Sequence, residues 1–142
     1  MSTMVQEELV RRWAALTPRR RERVYEEIDE TMALYQRTLP GMREALALFL
    51  PDQRAQRLQW LKLVRDQDRA VNTGRRICRW LRRLAAGERP GPHGQRVGEL
   101  VHYLRTLADA AKDERGKNSG PTQARALLLA ANLIEAGASA VG

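Results

Sequence analysis

The feature that most constrains this chain is the spacing of its apolar residues, which recur every three or four positions, the period of an α-helix. One such seam holds Tyr25, Ile28, Met32, Tyr35 and Leu39. No segment shows the alternation that is typical of a half-buried strand. The pattern predicts an all-α fold, a single compact bundle of six or seven helices. We expect one domain over residues 1–142, with 1–3 and 137–142 frayed.

Helix start and stop signals place the predicted boundaries. Thr17 and Pro18 form an N-cap followed by proline at the first helical position. Pro40 and Gly41 indicate the end of that helix, and the Pro- and Gly-rich segment 87–94 indicates a loop. The segment 113–120 is polar and is predicted to be a flexible loop. The predicted helices cover approximately residues 2–16, 18–38, 42–50, 52–71, 73–86, 95–112 and 121–136.

The apolar stripe changes sides between two of these segments. On one continuous helical wheel, the apolar residues before position 72 fall opposite those after position 74. The first set is Leu58, Leu61, Val64 and Val71. The second set is Ile77, Trp80, Leu81 and Leu84. Either the helix breaks at Asn72-Thr73-Gly74, or one helix buries opposite sides and one half meets another subunit. Asn and Gly are common at helix ends, which favours the break.

The charge is strongly positive and unevenly distributed. The formal net charge is +8, with 25 Lys and Arg against 17 Asp and Glu. Segment 75–89 contains six arginines and a single glutamate, Glu88. Arginine richness also occurs in proteins from GC-rich genomes, but a charge of this size indicates a polyanionic partner or a need for solubility.

Five arginines lie on one side of the helix predicted for residues 73–86. Like charges three or four positions apart repel, so this face is better explained by a partner that neutralises it. Phosphate suits the planar fork of the guanidinium group. An acidic protein surface or neighbouring subunit is one alternative. Acids of the same chain, such as those of segment 26–30, are another. The five residues are Arg75, Arg76, Arg79, Arg82 and Arg83.

Further candidate contacts lie near this face in sequence and on the second helix. Arg89 follows it, and Arg19, Arg20 and Arg21 form a basic run at a helix N-terminus, an end that favours phosphate. Trp80 lies at the edge of the arginine arc, where it either stacks on a base or packs in the core. Without a helix-turn-helix or ribbon motif, we expect contacts to the nucleic-acid backbone rather than base readout.

The motifs of common enzymes and metal sites are absent from the sequence. There is no GxxxxGK[ST], HExxH, CxxC or GxSxG. His93 and His102 lack clustered carboxylates, and Cys78 is the only cysteine. We therefore predict no enzymatic activity, catalytic residue, cofactor or metal. With neither a signal-peptide pattern nor a long apolar window, the sequence predicts a cytoplasmic protein that does not contact membranes.

Four segments resemble a known family. YQRTLPGMREALALFL, RICRWLRRLA, ELVHYLRTLA and TQARALLLAANLIEA, in this order, look like the small all-helical subunit of type III CRISPR effector complexes. The resemblance spans about residues 18–136. The family's Asn-Gly-Leu turn is replaced by Arg43-Glu44-Ala45, and its C-terminal Trp-Leu-Lys-Arg is missing. The resemblance implies a non-catalytic, RNA-binding subunit for antiviral defence. Such a subunit would stack head to tail and line a crRNA–target channel with the basic side chains around Trp80.

Two functions follow from the sequence. The first is a nucleic-acid-binding subunit, for RNA or DNA, in a larger assembly that includes other proteins or further copies of the chain. The second is a protein-interaction module, such as an oligomeric adaptor or a phage-type regulator, whose basic face binds an acidic protein surface. Association without nucleic acid would favour the second.

Overall fold

Capping at Thr17 fixes where the second helix begins. The computed structural model describes residues 4–94, 96–113 and 120–139. The Thr17 hydroxyl accepts a hydrogen bond of 3.2 Å from the Arg20 amide, and Pro18 takes the first helical position. All regular structure in these residues is helical. The helices are α1 (Met4–Ala15), α2 (Pro18–Ala45), α3 (Arg54–Ala85), α4 (Gly98–Ala111) and α5 (Pro121–Ser139).

The all-α prediction is confirmed, but the expected six or seven helices are five α-helices in the described residues. One reason is that α2 continues through Pro40 instead of ending there. Residues 42–45 of the short helix predicted at 42–50 belong to α2, and Leu46–Leu48 form a 3-10 turn. A second 3-10 turn, Pro51–Gln53, completes the connection to α3. The Met42 carbonyl, near the end of α2, accepts a hydrogen bond of 2.7 Å from the Trp60 indole N–H. The end of α2 is thus held to α3 by a side-chain contact.

The second reason is that α3 runs without a break through Asn72-Thr73-Gly74, so the predicted break is wrong. Gly74 is buried, and a Cβ atom at this position would lie 2.4 Å from Cγ and 2.6 Å from Sδ of Met32 on α2. Its glycine therefore allows α2 and α3 to approach closely. The alternative interpretation is correct in that α3 is one continuous helix. Its buried residues recur at spacings of three or four from Val64 to Leu84, so the described residues do not show α3 buried on opposite sides.

The two halves of α3 pack differently. Towards its C-terminus, Ile77 and Leu81 are fully buried in the main core. Towards its N-terminus, α3 contacts α2 partly through a polar residue: the Gln67 amide group donates to the Tyr35 carbonyl at 3.1 Å. The apolar residues Leu58 and Leu63 of this half are exposed.

The core lies where α1, α4 and α5 meet α2 and the C-terminal half of α3. Trp13 of α1 is fully buried; its indole N–H donates to the Leu81 carbonyl at 3.0 Å, and its ring packs edge-to-face on Tyr25. Leu104 of α4 and Ile134 of α5 are also fully buried. This packing turns the opposite side of α3 towards solvent.

The remaining segments are only partly covered by the described residues. The chain has no regular structure over 88–94, as predicted, and α5 extends to Ser139 rather than ending near residue 136. Fraying was expected at 1–3 and 137–142, but residues 137–139 are part of α5, so the prediction is wrong there. Residues 1–3, 140–142 and 114–119 of the predicted flexible loop lie outside the described residues. None of the helices in the described part of the chain combines the length and apolar character that a membrane span requires.

Candidate nucleic-acid interface

The C-terminal half of α3 presents its arginines to solvent because its other side is buried. Ile77 and Leu81 are fully buried and Leu84 nearly so. A helix exposes the positions roughly opposite those it buries, given its period of 3.6 residues. The five arginines predicted to form one face are all exposed, namely Arg75, Arg76, Arg79, Arg82 and Arg83.

Arg75, Arg76 and Arg79, here called the open arginines, have no ion pair within the described part of the chain, where a pair requires an N–O distance of at most 4.0 Å. Arg75 and Arg79 line a shallow recess together with Asp29, Cys78 and Arg82. Asp29 thus shares this recess without pairing with them. The recess brings three guanidinium groups together on a surface open to solvent.

Arg82, Arg83 and Arg89, here called the paired arginines, each meet a glutamate. Arg82 lies 3.8 Å from Glu22 of α2, and its guanidinium carbon is 4.4 Å from the centre of the Tyr25 ring. Arg83 pairs with Glu88 at 3.2 Å. Arg89 pairs with Glu7 of α1 at 3.3 Å. The sequence had suggested segment 26–30 as a source of internal acids, but Glu22, Glu88 and Glu7 make these contacts.

The basic run at the start of α2 is largely occupied within the protein. Arg20 donates to the Gln123 side-chain oxygen at 2.8 Å. Arg21 donates to carbonyls at the C-terminal end of α1, including Ala14 at 3.1 Å, where it complements the helix dipole. Arg21 also lines a recess with Arg82, so the structure brings these two candidate residues together. Arg19 is exposed.

Trp80 packs against its own chain. Its indole N–H donates to the Gly91 carbonyl at 2.9 Å, and its ring lies edge-to-face on His93 with the ring centres 5.3 Å apart. A Cβ atom added at Gly137 would lie 3.0 Å from the indole ring, so the glycine makes room for it. These contacts account for Trp80 without a bound base.

Cys78 is not an activated thiol. Burial, reinforced by the negative charge of Asp29, raises the pKa of this thiol to about 12, although Arg82 acts in the opposite direction. The nucleophilic form of cysteine is the thiolate, so this side chain is unreactive at neutral pH. Among the described residues, no group of three His, Cys, Asp or Glu side chains is placed to hold a metal ion.

Comparison with known proteins adds no family to this description. No protein-family model, curated protein or solved structure matches the chain. The chemistry of the arginine face is therefore the basis on which a function can be proposed.

Proposed function

We propose that this chain is a non-catalytic nucleic-acid-binding protein that contacts phosphates through the arginine face of α3 and acts as a subunit of a larger nucleoprotein assembly. The observation that carries the proposal is the set of open arginines, which are exposed and have no acidic partner among the described residues. Three neighbouring cations on one helix repel each other, and this cost is removed when a polyanion binds.

Phosphate fits this surface better than a carboxylate-bearing protein does. A guanidinium group donates two parallel hydrogen bonds to phosphate, and binding releases the counterions condensed on the nucleic acid. Successive phosphates of one strand supply regularly repeated charges along a helix face, whereas acidic side chains on a protein seldom do so without intervening cations. The paired arginines and Arg19, Arg20 and Arg21 would extend the contact. Trp80 would meet a base only with the part of its ring left exposed.

The resemblance to the small subunit of type III CRISPR effector complexes makes RNA the proposed nucleic acid within that assembly. The contacts would be to the backbone, because no element of the described fold presents a recognised base-reading motif. Binding should then depend strongly on salt and weakly on sequence.

Charge reversal at the open arginines tests the proposal. Replacing Arg75, Arg76 and Arg79 by Glu should weaken the affinity for a random-sequence oligonucleotide by at least about 100-fold. It should also reduce the slope of log affinity against log salt by roughly two units, about 0.7 for each phosphate of a single strand that is no longer neutralised. Fluorescence anisotropy with RNA and DNA at several salt concentrations measures both quantities.

The control carries the same charge change elsewhere on α3. Arg54, Arg57 and Arg65 are exposed residues of its N-terminal half. Replacing these three by Glu should change the affinity far less than replacing the open arginines. Equal reductions in affinity would show that only net charge matters, and unchanged binding in the first variant would refute the interface.

A second candidate function, protein–protein interaction, is supported by the N-terminal half of α3. Leu58 and Leu63 of this half are exposed in the continuous α3. Leu48 and Leu50, in the connection between α2 and α3, are 79% and 60% exposed. We propose that this end of the α2–α3 hairpin contacts a second copy of the chain, which would make the protein an oligomeric module.

A further inference from the structure

The paired arginines are held by carboxylates that come from three separate parts of the fold. Glu7 belongs to α1, Glu22 to α2, and Glu88 to the segment that follows α3. Each pair is exposed: the arginine side chains are 50–57% accessible and the glutamates 44–56%. Glu22 and Glu88 therefore direct carboxylates to the C-terminal end of the arginine face, and Glu7 pairs with Arg89, four residues beyond the end of α3.

Exposed ion pairs of this kind are readily exchanged. A surface pair contributes little to stability because water and salt screen it. A phosphate offers the same guanidinium group a stronger, two-pronged hydrogen-bonded contact. Each glutamate thus occupies the position of a phosphate and must be displaced before its arginine can bind one.

We propose that Glu7, Glu22 and Glu88 act as internal competitors for phosphate at the arginine face. This inference rests on the proposed function and divides the face into two parts. The open arginines bind phosphate directly. The paired arginines bind phosphate only when a polyanion already bound to the open arginines displaces their glutamates. The face is therefore selective for a continuous phosphate chain over small or isolated anions.

The dimensions of α3 define the required partner. Arg75 and Arg83 are eight residues apart, or about 12 Å along the helix axis at roughly 1.5 Å per residue. A partner must bridge this distance to use both parts. An oligonucleotide of about 16 nucleotides, the upper site size of many single-strand-binding folds, spans it. One of about 2 nucleotides, at about 3.4 Å of strand per nucleotide, covers roughly 7 Å and occupies only part of the face.

Removing the competing carboxylates tests the inference in the full-length protein. In a variant with Glu7→Gln, Glu22→Gln and Glu88→Gln, we expect the dissociation constant for the longer oligonucleotide to fall by about tenfold or more, from roughly two- to fivefold per released arginine. The shorter oligonucleotide should gain less. Anisotropy titrations at one low salt concentration give the dissociation constants of both, and circular dichroism confirms folding.

The matched control removes three carboxylates elsewhere. Glu8 pairs with Arg11 and Arg12, and Glu135 pairs with Arg105, none of which belongs to α3. Glu44 is exposed near the end of α2. The variant with Gln at these three positions has the same net charge as the test variant. We expect it to bind like the wild type or only slightly tighter.

The outcomes separate this inference from the proposed function. If the wild type binds but the test variant gains no more than the control, the competition is refuted and the nucleic-acid interface stands. A gain that is equal for the short and long oligonucleotides also refutes it. If neither the wild type nor the test variant binds, both proposals fail. Binding by the test variant alone would support competition strong enough to mask the site.

Discussion

The glycine at position 74 is compatible with two different structures, a helix end or a close contact inside a continuous helix. After Asn72 and before a new amphipathic run, it is typical of a helix end. In the structure it lies inside α3, where the absence of a Cβ atom lets Met32 of α2 occupy the space. The two interpretations differ only in what lies across the interface, and the local sequence carries no information about that neighbour.

Substituting Gly74 should therefore separate helix propensity from packing. An alanine that meets no obstacle in a helix stabilises a protein by about 0.5–1 kcal/mol relative to glycine. Gly74→Ala should instead lower the free energy of unfolding by about 1 kcal/mol, because Met32 has to move and an overpacked contact is unfavourable. Denaturant unfolding measures the change.

Gly41 provides the control, since it lies in α2 with no heavy atom within 4 Å of an added Cβ. Gly41→Ala should raise the free energy of unfolding. In a double-mutant cycle, Met32→Ala should be less costly in the Gly74→Ala background by about 1 kcal/mol. Additive effects of the two substitutions would contradict the close contact.

The acids that pair with these arginines also show that local sequence does not identify tertiary neighbours. Sequence arithmetic identified the one-sided arginine face correctly, because it depends only on helical period. It did not identify Glu7 and Glu22, which lie in α1 and α2 and reach the face only through tertiary packing. Glu88 alone was close enough in sequence to be noticed.

At the scale of elements, the sequence predicted that the segment between α3 and α4 is irregular, but it did not predict which core residues this segment contacts. Residues 88–94 cross the protein surface and bind to the core: Gly91 accepts from Trp80, and the His93 ring nitrogen Nε2 lies 2.8 Å from the Ile134 carbonyl oxygen. Glycine and proline predict a loop because they disfavour regular structure. Which core groups a loop contacts depends on the fold.

His93 should make the stability of this segment depend on pH. Burial lowers the pKa of its imidazole below the usual value of 6.5, against the opposing effect of the Ile134 carbonyl. As the pH falls below about 6.5, the unfolded chain therefore takes up a proton before the folded chain does. The free energy of unfolding should fall in this range, by at most about 1.4 kcal/mol per pH unit for one proton.

Urea unfolding between about pH 8 and pH 5 measures this dependence. His93→Gln should reduce the slope near pH 6 and should also lower stability at neutral pH, because the imidazole ring no longer packs on Trp80. His102→Gln, at an exposed position of α4, is the control for a general effect of removing histidine. An unchanged slope in His93→Gln would rule out this residue as the origin.

At the scale of the whole molecule, composition and periodicity determined the class of fold but not the number of helices. The all-α prediction depended on a period that packing does not alter. The count depended on whether Pro40 and Gly74 end helices, and both lie within helices. The neighbouring helix contacts both regions: Trp60 bonds to the Met42 carbonyl, and Met32 fills the space beside Gly74. Local sequence does not show such tertiary contacts. The continuous α3 that results exposes leucines at one end of the molecule.

Those leucines should mediate self-association that differs from binding through the arginine face. Leu48, Leu50 and Leu58 are more than half exposed, so replacing all three by Ser should leave the fold intact and shift the nucleic-acid-free protein from oligomer to monomer. Apolar association persists at high salt, whereas pairing of basic and acidic surfaces is screened. Light scattering at low and high salt therefore distinguishes the two causes.

Leu128→Ser, at a 40% exposed position of α5, is the control and should leave the oligomer unchanged. A wild type that is monomeric at both salt concentrations would contradict self-association through this end of the hairpin.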